Sequence, residues 1–294
     1  MLTDKDLELS NIKGISEVFN QRIYKYVGYE DAIKYVLIDK NTLKFSSPND
    51  FNDPFDCYEG FVNFSNVPPS ATLDDTAKRL LDRSIVKEAS SRTKQVLNDR
   101  RTRLNFFKEQ KKDYRVSCFS KVYDEVLMWS HYAENHKGFL IAYEKEDIEN
   151  GTIYSKDKNI NKKIKLSKVQ YTNKQVDMTE SIHDYLLKYC LPSNLDVSNL
   201  PEIPNRLLTD MATTKSESWK YEKEWRLIPR IIDISQENPI SYVEIKPKAI
   251  IAGTQCTNED KKALVNIAKG KKIPFYEMQI SSGIQYSLEI KRIY

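Results

Sequence analysis

The chain has 294 residues, of which 40% are hydrophobic, 11% aromatic and 30% charged. This composition predicts a soluble globular protein with a sizeable core and excludes a disordered chain. The apolar runs are too short for a membrane span, and the first residues lack the basic and then apolar order of a secretory signal. Because the four cysteines (Cys57, Cys118, Cys190 and Cys256) lie far apart without a C-x-x-C pair, we expect no sequence-local zinc site and a reducing, cytoplasmic location.

In chain order, the first half of the sequence predicts short strands separated by helices. Gly138 stands where the C-cap of a helix is expected, which separates that helix from the strand after it. Pro68 and Pro69 break the chain before a helical insertion. The predicted strands are residues 22–27, 42–46, 61–64, 114–120 and 138–144, the predicted helices are 29–40 and 125–136, and the insertion is 69–112.

The helical insertion carries a local excess of positive charge. Residues 76–112 contain twelve Lys or Arg and four Asp or Glu, whereas the net charge of the whole chain is +4. A basic block of this kind can attract nucleic acid, nucleotide phosphates or an acidic partner protein. The alternative is a solvated helical face that binds nothing.

The second half predicts a second helical segment and then a series of strands. Several strand pairs have no helix between them, so the sequence predicts an α+β fold of mostly antiparallel strands in a single domain, 1–294. No glycine-rich phosphate loop is present, so a Rossmann or P-loop enzyme is not expected. The second helical segment is 173–217, the predicted strands are 163–171, 224–232, 241–245, 249–253, 274–280 and 286–293, and a helix is predicted at 258–269.

A first candidate site is the loop SSPNDFNDPFDCYEG, which begins at Ser46. Asn52 and Asp53 can bond nearby backbone amides in Asx-turns. Phe51 and Phe55 would pin this polar loop to the core, as a preorganised site requires. The loop is predicted either as one wall of a pocket or as a purely structural turn.

A second candidate site is the segment MWSHYAENHKG, which begins at Met128. On a helix, Met128, Tyr132 and His136 would lie roughly on one face. Trp129 and His131 follow Met128 by one and three positions. His131 and His136 are five positions apart rather than four, so they are not the pair that grips one zinc ion. Either histidine can instead be a buried, hydrogen-bonded one.

The third candidate site is KSESWKYEKEWRLI, which begins at Lys215. If residues 219–228 form one strand, Glu222, Glu224 and Arg226 point to the same side. Two neighbouring carboxylates raise each other's pKa unless a cation lies between them, and Arg226 could be that cation. The alternative is a salt-bridge ladder on the surface.

Together, these motifs resemble a bacterial family catalogued as domain of unknown function 2971. The resemblance is carried by IYKYV, LKFSSPNDFNDPFD, VSCFS, LMWSHYAENHKGFLIAY and KSESWKYEKEWRL, in that order, over residues 22 to about 230. The family name implies no activity.

The order of the elements is also similar, more distantly, to that of bacterial mono-ADP-ribosyltransferases, which have a split sheet. This resemblance implies Arg22 or Tyr24 on the first strand, Ser117 on the second, and a catalytic glutamate, Glu224, in an E-x-E motif on the third. This chain lacks the histidine that one branch of these transferases carries on the first strand. It also has SCFS where their second strand usually has S-T-S.

The leading hypothesis is therefore an NAD-consuming transferase that acts as a toxin or an anti-phage defence effector on an unknown protein or nucleic-acid acceptor. Its catalytic residues would be Glu224, Glu222 and His131, with NAD as substrate and no metal. The cofactor-binding residues would be Arg22, Tyr24, Asn52, Asp53, Ser117, Trp129, Tyr132 and Arg226.

Two alternatives remain open. One is a nucleic-acid-processing enzyme in which Asp53, Asp56, Glu222 and Glu224 hold a divalent ion and the basic insertion follows the phosphates. The other is a non-catalytic module whose aromatic clusters bind a ligand or a partner. The enzyme hypotheses require the loop, the helix and the E-x-E segment to converge on one cleft.

Overall fold

The structure is a computed structural model that describes a little more than half of the chain. The described residues are 19, 21–32, 42–58, 62–63, 101, 104–105, 108, 111, 115–154, 159–160, 165–177, 205–228, 242–283 and 286–294.

The chain divides into two compact units. The first comprises Met1–Ser46, Arg115–Val169 and Ser218–Tyr294, and the second comprises Ser47–Tyr114 and Gln170–Glu217. The predicted insertion 69–112 and the predicted segment 173–217 both fall within the second unit.

The described secondary structure comprises strands, short α-helices and two 3₁₀ helices. The strands are β1 (Ile23–Val27), β2 (Thr42–Lys44), β3 (Val62–Asn63), β4 (Ser117–Ser120), β5 (Phe139–Tyr143), β6 (Thr152–Tyr154), β7 (Asn159–Ile160), β8 (Leu166–Lys168), β9 (Gln170–Tyr171), β10 (Val176–Asp177), β11 (Thr214–Lys215), β12 (Glu224–Leu227), β13 (Tyr242–Glu244), β14 (Ala249–Ala252), β15 (Phe275–Ile280) and β16 (Leu288–Arg292). The α-helices are α1 (Tyr29–Ala32), α2 (Val126–Tyr132), α3 (Lys145–Glu149), α4 (Asn205–Ala212) and α5 (Asn258–Lys271), and the 3₁₀ helices are Pro48–Asp50 and Glu217–Glu222.

The first unit is built on an eight-stranded sheet with the order β16-β15-β14-β5-β1-β4-β12-β8. Every neighbouring pair in it is antiparallel except β14 and β15, which are joined by α5 and run parallel. A second, four-stranded sheet has the order β2-β13-β6-β7. The predicted α+β class with mostly antiparallel strands is therefore confirmed.

The eight-stranded sheet has two differently covered faces, because side chains alternate along each strand. On the face that we call the α5 face, Ile23, Phe119, Ile141, Leu227 and Ile250 pack with the buried residues of α5. On the opposite face, which we call the α2 face, Tyr24, Tyr26, Leu140, Ala142 and Ile251 pack with Met128 and Trp129 of α2. The central strand β5 is buried along its whole length, as its unbroken apolar sequence predicts.

Of the second unit, the structure describes short paired elements. β3 pairs with β10 and β9 pairs with β11, both in parallel. Five residues of the basic insertion are described, and all five are helical: Arg101, Leu104, Asn105, Lys108 and Lys111. Residues 178–204, the larger part of the predicted helical segment 173–217, lie outside the described residues.

Three local predictions are corrected. The helix predicted at 125–136 ends at Tyr132, because Glu134, Asn135 and His136 have left-handed φ angles of 48°, 53° and 67°. The strand predicted at 163–171 is divided at Val169, whose amide bonds the carbonyl of Glu224 while the next residue starts β9. The condition that residues 219–228 form one strand is not met, because Glu217–Glu222 is a 3₁₀ helix and Glu224–Leu227 is extended.

Candidate active site

The candidate site lies on three neighbouring strands of the first unit. β4 lies between β1 and β12, and Ser120 of β4 is in register with Tyr24 of β1 and with Glu224 of β12. Directly opposed residues of antiparallel strands project to the same side. Tyr24, Ser120 and Glu224 therefore form a row across the α2 face.

A buried ion pair lies at one end of this row. Arg226 Nε donates to Glu224 Oε1 at 2.7 Å, and Arg226 Nη2 donates to Glu224 Oε2 at 2.9 Å. Arg226 is completely buried and Glu224 is 5% exposed. A bidentate pair of this kind fixes the plane of the carboxylate as well as its charge. As predicted, Glu224 and Arg226 share one face of their strand.

The ion pair also affects the thiol beside it. Cys118 stands opposite Arg226 in the register of β4 and β12. Burial, and then the Glu224 carboxylate, raise the pKa of the Cys118 thiol well above its usual value, against the opposing charges of Arg226 and Lys25. A neutral thiol is a poor nucleophile, so Cys118 is part of the packing rather than a reactive group.

The E-x-E motif turns sharply at its middle residue. Lys223 has a left-handed φ of 43° and joins the 3₁₀ helix to β12. Its carbonyl accepts from the amide of Lys121 at 3.2 Å, and Ser120 Oγ donates to the carbonyl of Glu222 at 2.6 Å. Glu222 is thus not on the strand with Glu224, and β4 holds the turn between the two carboxylates.

Glu222 is bound by the helix that covers the α2 face. Tyr132, the last residue of α2, donates its hydroxyl to Glu222 Oε1 at 2.6 Å. Glu222 is only 2% exposed, whereas Tyr132 is half-buried. His131 is exposed beside them, with its ring 6.1 Å from that of Trp219 on the 3₁₀ helix. The structure therefore brings Glu222, Tyr132 and His131 to one edge of α2.

The turn after α2 is held by its own side chains. His136 Nε2 lies 3.1 Å from Ser130 Oγ, and the His136 ring stacks on Trp129. Ser130 Oγ donates to the carbonyl of Val126, so Nε2 of the imidazole donates to Ser130. The buried Nδ1 is then an acceptor that has no hydrogen-bond partner among the described residues. Burial lowers the pKa of His136. This histidine clamps the turn rather than activating Ser130.

Four predicted cofactor-binding residues are either completely buried or lie outside the row on the α2 face. Tyr24 and Trp129 are completely buried; the Tyr24 hydroxyl donates to the carbonyl of Phe19, and Trp129 Nε1 donates to the carbonyl of Tyr123 at 2.7 Å. Ser117 faces the α5 face, opposite Leu227, and its buried hydroxyl has no hydrogen-bond partner among the described residues. Arg22 lies just before β1, with Nε 3.5 Å from Glu144 Oε1.

The predicted loop residues Asn52 and Asp53 belong to the second unit. Asp53 Oδ1 accepts from the amide of Phe55 at 2.9 Å, which is the predicted Asx-turn. The prediction that Phe55 pins the loop is wrong, because Phe55 is 64% exposed and contacts the ring of Tyr58 instead. The predicted convergence of this loop with the α2 face stays a prediction.

Some site residues were missed by the sequence analysis. Ser120 and Cys118 lie opposite Glu224 and Arg226, but the register of two strands separated by about a hundred residues leaves no mark in the sequence. In the second unit, Lys215 Nζ forms a buried ion pair with Asp56 Oδ2 at 3.4 Å.

Two kinds of feature are absent from the described residues. These residues contain no cluster of three or more His, Cys, Asp or Glu side chains that could hold a metal ion. In the same part of the chain, no helix has the length and apolarity needed to cross a membrane.

The comparisons with known proteins concern the stretch that contains the site. Residues 128–227 match the model of a family described as protein of unknown function (DUF2971), which supports the resemblance to that family. The match covers roughly a third of the chain, from α2 to the end of β12, and includes Glu222, Glu224 and Arg226. No curated protein and no solved structure matches the chain.

Proposed function

We propose that the first unit is the catalytic unit of an NAD-consuming enzyme, a mono-ADP-ribosyltransferase, whose acceptor is a protein or a nucleic acid. The resemblance further implies a toxin or a defence effector. The second unit, with Asn52 and Asp53, is not needed for this argument.

The observation that supports the proposal is the row Tyr24–Ser120–Glu224 across β1, β4 and β12. The resemblance requires three strands in this chain order to carry an aromatic or basic residue, a serine and a glutamate. These strands are adjacent, and the three residues share one face. The serine in register is Ser120 instead of the expected Ser117.

The two glutamates suit the charge that develops in this reaction. A nucleophile of the acceptor attacks C1′ of the nicotinamide ribose, the bond from C1′ to nicotinamide breaks, and the electron pair leaves with nicotinamide. The ribose is positively charged in the transition state, and fixed carboxylates stabilise such charge. Arg226 and Tyr132 would hold Glu224 and Glu222 in position, Glu224 on the ribose and Glu222 on the acceptor, whose proton a carboxylate can take.

The test is release of free nicotinamide from NAD by the purified protein, measured by chromatography with cell lysate or nucleic acid as acceptor. We expect release by the unaltered protein and a loss of about a hundredfold or more in both Glu224→Gln and Glu222→Gln. Circular dichroism and thermal unfolding of each variant must show a folded protein, because Glu224→Gln weakens a buried ion pair.

The matched control is Glu217→Gln, which makes the same change at the exposed start of the same 3₁₀ helix and should leave release unchanged. A second, milder variant is Tyr132→Phe, which keeps both carboxylates and should lower the rate. Full release by both glutamate variants, or no release by the unaltered protein with every acceptor, would contradict the proposal.

A further inference from the structure

β16 forms one edge of the eight-stranded sheet. Its neighbour β15 pairs with it antiparallel, with Met278 opposite Ile290. The amide of Ser281 bonds the carbonyl of Ser287 at 2.9 Å, and the amide of Ile293 bonds the carbonyl of Phe275 at 3.0 Å. Hydrogen-bonded residues alternate along an antiparallel ladder. The backbone N–H and C=O groups that bond β15 are therefore those of the odd-numbered residues in and beside β16.

The backbone groups of Leu288, Ile290 and Arg292 therefore point away from the sheet. No described strand pairs with this edge. An edge of this kind is a template for pairing with another chain, and proteins that avoid such pairing use bulges, prolines, inward-pointing charges or lysines on the edge strand. β16, with the sequence LEIKR, has no proline.

The charges of β16 are complementary to themselves in one antiparallel register. When two copies pair about a two-fold axis through Ile290, Glu289 of each copy stands opposite Lys291 of the other. Opposite charges at such positions stabilise a sheet and like charges destabilise it. Moving the axis by one residue places glutamate opposite glutamate or lysine opposite lysine, so the charges select the register centred on Ile290.

The hydrogen bonding and the apolar surface fit the same register. Ile290 has outward-facing backbone groups, so it can exchange two hydrogen bonds with its own copy. Leu288 and Ile290 already pack at the border of the α2-face core. Among the described residues, the exposed large hydrophobic side chains are Phe55, Val126, Leu127, Ile280, Tyr286, Ile293 and Tyr294. Four of these seven lie in or beside the hairpin of β15 and β16.

We propose that two copies of this chain pair through β16, antiparallel and centred on Ile290, so that two eight-stranded sheets become one continuous sheet. The interface consists of backbone hydrogen bonds, two Glu289–Lys291 pairs and the exposed apolar residues at the ends of the hairpin. Such a symmetric interface uses the same surface on both copies. This proposal is independent of the proposed function.

The test is the molar mass in solution over a range of concentrations, measured by light scattering and sedimentation velocity. The unaltered protein should dimerise. Lys291→Glu, which places glutamates opposite one another, should raise the dissociation constant by about tenfold or more. The double variant Glu289→Lys/Lys291→Glu restores opposite charges and should restore the dimer, although Glu289 loses the hydrogen bond that it accepts from Ser281 Oγ.

The matched control is Lys246→Glu, the same charge change at an exposed lysine outside β16, which should leave the dimer intact. Hydrogen exchange gives a second measurement: the amides of Leu288, Ile290 and Arg292 should become protected as the protein dimerises. A protein that stays monomeric at the highest concentration overturns the proposal. So does a dimer that Lys291→Glu leaves unchanged, or a double variant as monomeric as the single one.

Discussion

The two faces of the eight-stranded sheet are both buried but are stabilised differently. On the α5 face, the buried side chains of β1, β4, β5 and β14 are almost all hydrocarbon, and Ser117 is a polar exception. On the α2 face, the same strands and β12 carry two tyrosines, a serine, a buried ion pair and a thiol. The α5 face is stabilised mainly by apolar packing, whereas the α2 face also depends on hydrogen bonds and an ion pair.

This difference shows where binding or chemistry can be supported. Apolar contacts are not directional, so the α5 face can lose a side chain and still pack. A buried carboxylate or guanidinium without its partner leaves an uncompensated charge, so the α2 face depends on complete pairs. Such polar clusters are common at functional sites, which is why the α2 face is the better candidate.

The largest expected effect is that of Arg226→Leu. This change leaves Glu224 buried without its cation and should lower the free energy of unfolding by about 3–5 kcal/mol. In the double variant Glu224→Leu/Arg226→Leu, most of that loss should be recovered, because two apolar side chains replace the pair. The measurement is urea unfolding followed by tryptophan fluorescence.

The α5 face supplies the comparison for that experiment. Ile141→Ala should cost about 2–5 kcal/mol, and adding Leu227→Ala should increase the loss instead of reversing it. If the losses of unfolding free energy also add in Glu224→Leu/Arg226→Leu, the two faces do not differ as we describe.

A smaller effect is expected for Tyr132→Phe. The lost hydrogen bond to the Glu222 carboxylate is charge-assisted and should cost about 1.5–3 kcal/mol of unfolding free energy. Tyr26→Phe on the same face removes a bond to the neutral carbonyl of Val122 and should cost about 0.5–1.5 kcal/mol. Equal losses from the two changes, in the same urea experiment, would mean that Glu222 is not held as a carboxylate by Tyr132.

The smallest effect concerns pH and the clamp at the end of α2. Burial lowers the pKa of His136 below its usual value of 6.5 in the folded protein. Below that pH the unfolded chain binds the proton first, so the contribution of this residue to stability is present above 6.5 and is lost as the pH falls. His136→Asn, which tolerates the left-handed φ, should reduce the loss of stability between neutral pH and about pH 5. Parallel pH profiles of the two proteins would show that His136 does not titrate this way.

Much of the sheet could be predicted from the sequence because strand periodicity is local. The alternation of residues places Glu224 and Arg226 on one side of β12 without any knowledge of its neighbours. The apolar run of β5 likewise predicts a central strand. These predictions need only the residues themselves.

The rest depended on contacts between distant parts of the chain. The bond between Tyr132 and Glu222 joins residues 90 positions apart, and the bond between Ser120 and Glu222 joins residues 102 apart. The left-handed conformation of Lys223 is not signalled by its residue type, since glycine or asparagine is the usual choice there. Position in the sheet, not local preference, decides that turn.

The turn that follows α2 also restricts a position outside the stretch that matches the family model, Gly253. A Cβ on Gly253 would come within 2.1 Å of the carbonyl oxygen of His136, and one on Gly138 within 2.3 Å of that of Val27. Neither backbone can move away easily, because the amide of Gly253 bonds the carbonyl of Gly138 at 3.0 Å. Distant relatives in which every polar side chain of the site has been replaced should therefore still carry this pair of glycines. The spacing of the two glycines can then identify the fold in sequences that no longer share its charged residues.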